Sequence, residues 1–221
     1  MVIIMLGAPA SGKGSVAEIL SKEFKIPAIS SGDIFRKYIS EGTEIGKKAN
    51  EYITKGERVP DDVTVELIAS RLDEKDVQDG LILDGFPRTV NQAEQLDKML
   101  EKNGKKIDIV INLETPEEEI LERITNRRIC TNRDCKAVYN TVLLPSKVQG
   151  ICDKCGSPLE QRDDDKIEKA KKRLEVYYRE TAPVADYYKK TGALYSTVLS
   201  KSVNRMKEEV AKDVIEYLNS K

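Results

Sequence analysis

Histidine is absent from all 221 residues, which removes the commonest general base, the histidine-containing catalytic triad and any metal site that needs an imidazole. Whatever chemistry the chain performs must come from other groups. Long apolar runs are missing too. No stretch approaches the roughly 20 residues of a membrane helix, and Val2-Ile3-Ile4-Met5-Leu6 is too short, and lacks the basic flank, for a secretory signal. A cytoplasmic protein without membrane contact is expected. There is no excess of positive charge either, with 37 Lys+Arg against 38 Asp+Glu. No global field therefore gathers nucleic acid, and 5% aromatic residues provide few stacking platforms. Any anion site must be local. Internal repeats and low-complexity tracts are also lacking, so solenoid and linker readings have little support. Cysteine is scarce: all four fall between Cys130 and Cys155, a clustering that in a reducing compartment favours a metal site over a scattered disulfide framework.

What is present is an alternation of short apolar runs with amphipathic stretches, the pattern of a parallel sheet crossed over by helices. The expected strands are Val2–Leu6, Leu81–Asp84, Ile107–Leu113, Ala193–Val198 and the shorter Ala28–Ser30. Helical spacing puts Val16, Ile19, Leu20 and Phe24 on one face, and Val203, Met206, Val210, Val214 and Leu218 on another. Thr115-Pro116-Glu117-Glu118 predicts a helix start: a capping threonine, proline at the first helical position and glutamate three residues after the cap. Two regions break the alternation. Residues 30–59 predict short polar helices and turns, and residues 126–165 hold the cysteines with Pro145, Gly150, Gly156 and Pro158. Both are expected to be insertions on a main body of residues 1–29, 60–125 and 166–221.

Gly7-Ala8-Pro9-Ala10-Ser11-Gly12-Lys13 follows the first strand and opens the first helix, giving G-x-x-x-x-G-K in the context that motif requires. Backbone N–H groups of such a loop converge on phosphate oxygens, the helix amino terminus adds partial positive charge and Lys13 a full one. The coincidence of strand, loop, lysine and helix argues against an ordinary glycine-rich turn. Gly14 follows the lysine where other such loops carry Ser or Thr, and Ser15 supplies the next hydroxyl. Asp84 ends a buried-looking strand, where ligands gather in open α/β sheets, and is expected to hold hydrated Mg2+ beside ATP phosphates.

Cys130 and Cys135 have four residues between them, Thr131 to Asp134, while Cys152 and Cys155 have two, and sixteen separate the pairs. Two such knuckles can present four thiolates tetrahedrally to a structural Zn2+, with Fe or Co as further candidates for sulfur ligands.

Three separated motifs resemble those of adenylate kinases, in the same order: the phosphate loop through Gly14-Ser15, then Ser31-Gly32-Asp33-Ile34-Phe35-Arg36, then Asp84-Gly85-Phe86-Pro87-Arg88-Thr89. The resemblance spans essentially the whole chain. It departs at Ala10, where the family usually has glycine, and at Ser15, where it usually has threonine; a methyl at Ala10 crowds the loop if that position needs a positive φ. The resemblance implies a nucleoside monophosphate kinase fold with a central parallel sheet, a small AMP-binding insertion and a long lid. It implies that Gly7, Ala10, Ser11, Gly12, Lys13, Gly14 and Ser15 hold ATP phosphates, that Ser31, Arg36, Glu57, Val59, Gly85, Phe86, Arg88 and Gln92 hold AMP, and that Arg123, Arg127, Arg162 and Arg173 close over the transferred group or the nucleotides. Gln92 offers a donor and an acceptor to an adenine edge. Val138 and Tyr139 correspond to a segment that covers the ATP base, with Lys201 nearby. The resemblance also implies that Asp164 and Asp165 orient the arginines.

The implied reaction is Mg-dependent transfer between ATP and AMP to give two ADP, by a monomeric enzyme. It needs positioned cations rather than a base, because the attacking AMP oxygen is already ionised. The rival readings are the same chemistry on UMP, CMP or dTMP, or with GTP as donor, against which Ser31, Gln92 and the long lid stand. A nucleic-acid-binding zinc-ribbon ATPase is opposed by the balanced charge.

Overall fold

The computed structural model of the chain describes residues 1–55, 57–132, 134–135, 137–203 and 205–220. Arg133, inside the first cysteine spacer, lies outside them. Five strands form an all-parallel sheet in the order β2-β3-β1-β4-β8: β1 Val2–Gly7, β2 Ala28–Ser30, β3 Leu81–Asp84, β4 Ile109–Glu114 and β8 Leu194–Val198. Every residue of β1 is buried, as expected of a central strand covered on both faces.

Alternation along the strands sorts these side chains into two cores. Val2, Ile4, Leu6, Leu81, Leu83 and Val110 pack to one side with residues of α4 (Asp61–Leu72), α5 (Val90–Lys102) and α8 (Ala182–Lys190). Ile3, Met5, Ile82, Ile109, Ile111 and Leu113 pack to the other with α1 (Lys13–Phe24) and α9 (Lys207–Asn219). The chain order puts the carboxyl ends of β1, β3 and β4 at one edge of the sheet, where the crossovers part and a cleft opens.

Two bodies stand on this sheet. The first comprises α2 (Ser31–Ser40) and α3 (Glu44–Ile53), with Phe35, Ala49, Val59 and Leu67 as a small core. The second is a separate antiparallel sheet, β6-β5-β7, made of β5 Arg127–Cys130, β6 Val138–Asn140 and β7 Leu159–Glu160. Between the sheets run α6 (Glu117–Thr125) and α7 (Ile167–Val176), and a π-helical turn, Tyr177–Thr181, joins α7 to α8.

Two sequence expectations are corrected. Thr115 does not cap α6: its hydroxyl donates to the Leu199 carbonyl at 2.9 Å, and the helix begins at Glu117 after Pro116. Val203 and Met206 do not belong to the buried face of α9. They precede the helix and are 60% and 55% exposed, because Glu209 accepts from the Met206 N–H and starts the helix there.

Candidate functional site

The loop after β1 is built around backbone conformations that only particular residues tolerate. Gly7 has φ 137, and a Cβ there would lie 2.6 Å from the Leu113 carbonyl oxygen. Gly12, φ 99, caps α1 without a side-chain hydrogen bond, which leaves first-turn N–H groups for an anion. Lys13 turns back over the loop, its Nζ donating to the Gly7 and Ala8 carbonyls at 2.7 Å each. Ser11 is fully buried, and its hydroxyl has no partner among the described residues. Ala10 has φ 59, so the position does require the left-handed region, at a cost of about 1–2 kcal/mol for an alanine. Its methyl packs against the cluster that contains Ile120 and Ile124, which offsets part of that cost. Ser15 is exposed and lines a groove between α1 and α9.

Around Lys13 the structure gathers positive charge. Desolvation pushes the Lys13 pKa down to about 8; Asp84 opposes this, and Arg88, Arg173 and Arg127 add to it. Burial in the cleft, with Arg173 beside it, brings Arg88 to about 10 although its outer side is exposed. Arg162 falls to about 10 through burial, Arg36 and Arg127. Its Nε is buried without a partner among the described residues. Arg173 is likewise lowered, chiefly by burial. Cations that depress one another in this way form a site that lacks its counter-charge.

Two carboxylates keep the arginines in place. Asp165, fully buried, pairs with Arg127 through both oxygens, at 2.8 Å from Nε to Oδ2, and lies 3.4 Å from Arg173. Burial lowers the Arg127 pKa, but the paired Asp165 outweighs it and the net direction is up. Asp164 takes a second contact to Arg173 at 3.1 Å; burial raises its pKa, and the surrounding arginines pull it below the usual range. Arg123 does not join this group. It pairs with Glu119 at 2.9 Å and reaches the Ser11 and Leu199 carbonyls. Lys201 shares Glu119 through its backbone N–H at 3.2 Å, so Arg123 and Lys201 flank the loop together on another side.

Arg88 and Ser31 meet at Gly85. The Ser31 hydroxyl donates to the Gly85 carbonyl at 2.7 Å, and Arg88 Nε to the same oxygen at 2.6 Å. A Cβ at Gly85, φ 79, would come within 2.9 Å of Ser31 Oγ and 3.0 Å of Arg88 Nη2. Arg36 is tied to Asp33 one turn earlier, and exposed Glu57 pairs with Lys172 at 3.3 Å.

The side chains of several expected contact residues point elsewhere. Phe86 is fully buried in the main core and Val59 in the small core of the α2–α3 body, so only their backbones can meet a ligand. Gln92 is fully buried, its Oε1 accepting from the Arg88 N–H and its Nε2 donating to Asp61, each at 2.7 Å. Tyr139 faces inward: its hydroxyl accepts from the Asp153 N–H at 2.8 Å and lies 3.6 Å from Cys152 Sγ, while Val138 beside it is exposed. Sequence reasoning missed Asp61 and Arg58. Arg58 links Glu180 at 2.8 Å with the Arg88 carbonyl at 3.2 Å. Neither residue stands in a recognisable motif, and only the fold brings them to Gln92 and Arg88.

The four cysteines converge although their first spacer is wide. Cys130 and Cys155 Sγ atoms are 3.4 Å apart, Cys135 and Cys152 3.6 Å, and all four lie within 4.8 Å of one another. These separations exceed the roughly 2.05 Å of a disulfide and suit a tetrahedron of thiolates, whose edges are about 3.8 Å for metal–sulfur bonds of about 2.3 Å. The group can therefore hold a metal ion.

Comparison with known proteins agrees with this geometry. The family model for adenylate kinase matches residues 5–193. An adenylate kinase of Caldicellulosiruptor bescii is 50% identical over 212 residues, covering 96% of this chain and 98% of that protein. One from Archaeoglobus fulgidus is 49% identical over 210 residues, covering 95% and 96%. With the phosphate loop, the arginine cluster and the clustered cysteines in one chain, the chain belongs to the adenylate kinases, phosphotransferases whose general reaction converts ATP and AMP into two ADP.

Proposed function

We propose that this chain carries out its family's reaction at the cleft between Lys13, Arg88, Arg127, Arg162 and Arg173, with Gly7 to Ser15 cradling the ATP phosphates and Ser31, Arg36, Gly85 and Arg88 holding AMP. One observation carries this assignment: five cations, four of them with lowered pKa values, surround the open amino terminus of α1. Phosphoryl transfer spreads negative charge over several oxygens in a loose transition state, and preplaced cations stabilise it without reorganising. Lys13 leaves the loop carbonyls for a phosphate, and the Arg162 Nε, without a partner among the described residues, acquires an acceptor. Asp165 holds Arg127 and Arg173 at fixed spacing throughout. No side chain need take a proton.

Asp84 lies beside the loop, its Oδ2 3.4 Å from where a side chain at Gly14 would begin. Its carboxylate is assigned to the hydrated Mg2+ that accompanies ATP, an ion that would offset negative charge on the phosphates. Arg123, Lys201 and exposed Val138 are assigned to the ATP base, the first two because they share Glu119 beside the loop. The cysteine site is assigned to structural Zn2+, which four thiolates suit and which leaves no open position for catalysis. The separate sheet and small cores support division into a main body (1–29, 60–125, 166–221), an AMP insertion (30–59) and a lid (126–165). Balanced charge speaks against nucleic acid as a partner, and a monomer acting in the cytoplasm is carried over from the family resemblance.

The test is ADP formation from ATP–Mg with AMP, UMP, CMP, dTMP, GMP and IMP in turn. AMP is expected to give the highest kcat/KM. Preference for another acceptor would overturn the AMP assignment while leaving the phosphotransferase class intact.

A further inference from the structure

We propose that Arg58 is a positioning residue for the acceptor phosphate: its forked guanidinium ties the main chain of Arg88 to the turn after α7, and so sets the spacing of Arg88 and Arg173 across the cleft. This role rests on the AMP assignment above and deepens it. Arg88 stands at the end of the turn between β3 and α5, and its side chain is held to that turn. Its Nε donates to the Gly85 carbonyl at 2.6 Å and its Nη2 to the Ser31 hydroxyl at 3.4 Å, so the guanidinium goes where the turn goes. The turn in turn is clamped at the Arg88 backbone from both sides. The N–H donates to Gln92 Oε1 at 2.7 Å, and the carbonyl accepts from Arg58 Nη1 at 3.2 Å. The first clamp is local, whereas the second comes from a residue thirty positions earlier in the chain.

The other arm of the fork faces two carboxylates. Arg58 Nη2 lies 2.8 Å from Glu180 Oε2 and 3.6 Å from Asp61 Oδ1, while its Nε is buried without a partner among the described residues. Asp61 also accepts from the Gln92 amide at 2.7 Å and from the Thr89 hydroxyl at 2.8 Å, so both clamps on Arg88 end on one carboxylate. Glu180 belongs to the π-helical turn Tyr177–Thr181 that continues α7, and α7 carries Arg173. Arg58 thus reaches from the Arg88 carbonyl to the element that holds Arg173. The two arginines oppose each other: after burial, Arg173 is the strongest influence on Arg88, and it disfavours the charged form. Like charges keep a fixed spacing only when their backbones are held. Neighbouring Glu57 also reaches α7, at Lys172, but both of those side chains are exposed and such pairs contribute little. Arg58 and Glu180 are only 22% and 25% exposed, which makes theirs the contact able to transmit position. A lysine could meet the carbonyl or the carboxylate, whereas the planar fork meets both.

The experiment measures kcat and KM for AMP at saturating ATP–Mg, and KM for ATP at saturating AMP, in the wild type, Arg58→Met, Arg58→Lys, Glu180→Gln and Arg88→Leu. Arg58→Met is expected to lower kcat/KM for AMP about tenfold while changing the KM for ATP by less than about twofold. Arg58→Lys keeps the charge without the fork and is expected to remain at least about threefold below the wild type. Glu180→Gln removes the far anchor and is expected to lower kcat/KM for AMP about threefold; combined with Arg58→Met it should add nothing further, since both break one link. If Arg58→Met melts below the assay temperature, Glu180→Gln decides the matter alone. An unchanged kcat/KM for AMP in the folded variants would overturn the proposal. An equal rise in KM for AMP and ATP would do the same, by showing a general loosening, and so would full recovery in Arg58→Lys, by showing an effect of charge alone. If Arg88→Leu leaves kcat/KM for AMP unchanged, the assignment of Arg88 to AMP fails instead.

Discussion

At the scale of single residues, Lys13 shows how burial tunes a cation for phosphate. Desolvation brings its pKa from an ordinary 10.5 to about 8. The unfolded chain keeps this proton to a higher pH, so lysine burial costs stability in full below about pH 8, and that cost is relieved as pH rises from about 8 to 10.5. Bound phosphates favour the charged amine. ATP binding is therefore expected to take up a proton near about pH 9 and almost none near about pH 6. Calorimetry in buffers of different ionisation enthalpy measures this uptake, and Lys13→Met should abolish it. Uptake that persists in the variant would assign the proton elsewhere. Ala10 makes a smaller point at this scale. Its positive φ was foreseeable only as a condition, whereas its packing against the Ile120 and Ile124 cluster gives a reason for a methyl where glycine would fit.

At the scale of elements, the short turn Asp163–Asp165 and the start of α7 place charge where no apolar contact could. Asp165 is buried between Arg127 of β5 and Arg173 of α7. Removing one partner of a buried charge set costs about 3–5 kcal/mol, since the remaining charges stay buried and uncompensated. Asp165→Ala is accordingly expected to lower Tm by roughly 10 °C and to reduce kcat as the two guanidiniums lose their spacing. Calorimetric melting and turnover at a permissive temperature check the two effects, and a change of less than about 2 °C would show the pair to be solvated. The small β5–β7 sheet depends on a different device. Among the described residues its core cluster holds little beyond Cys130, Ala137, Tyr139 and Cys152, so on the proposed Zn2+ assignment ligation would supply most of its stability. Cys152→Ser is expected to lower Tm much more than it lowers kcat at a permissive temperature. Equal turnover loss with unchanged melting would contradict a structural role for the metal.

At the scale of the whole molecule, the two sheets differ in what holds them. The five-stranded sheet is buried on both faces by α1, α9, α4, α5 and α8, whereas the three-stranded one stands apart over its cysteines. Metal removal should therefore act unevenly. A strong chelator is expected to abolish amide-exchange protection across β5, β6 and β7 while β1, β3 and β4 keep theirs, as read by exchange mass spectrometry. Loss of protection in both sheets together would mean that they unfold as one unit.

What the sequence determined by itself was whatever depends on neighbours along the chain. The buried strands were legible because both their faces are covered and they read as continuous apolar runs: Leu81–Asp84 and Ala28–Ser30 fall where expected, and β4 begins only two residues after Ile107. The phosphate loop was legible because its chemistry needs a fixed order of glycines and one lysine, and the cysteine cluster because four thiols lay within one short span. The cap at Thr115 was misread, since that local signal lost to the contact between Thr115 and Leu199, and the apolar spacing carried the last helix back over Val203 and Met206, which precede the start that Glu209 sets. Only the tertiary structure decided which side chain of a pair turns inward: Tyr139 rather than Val138, and Phe86 into the core while Arg88 faces the cleft. Only it joined Asp61 to Gln92 and Asp165 to Arg127. These are pairings of polar groups distant in sequence, which carry no period or spacing, and it is the energy of leaving such groups unpaired in a buried place that selects them.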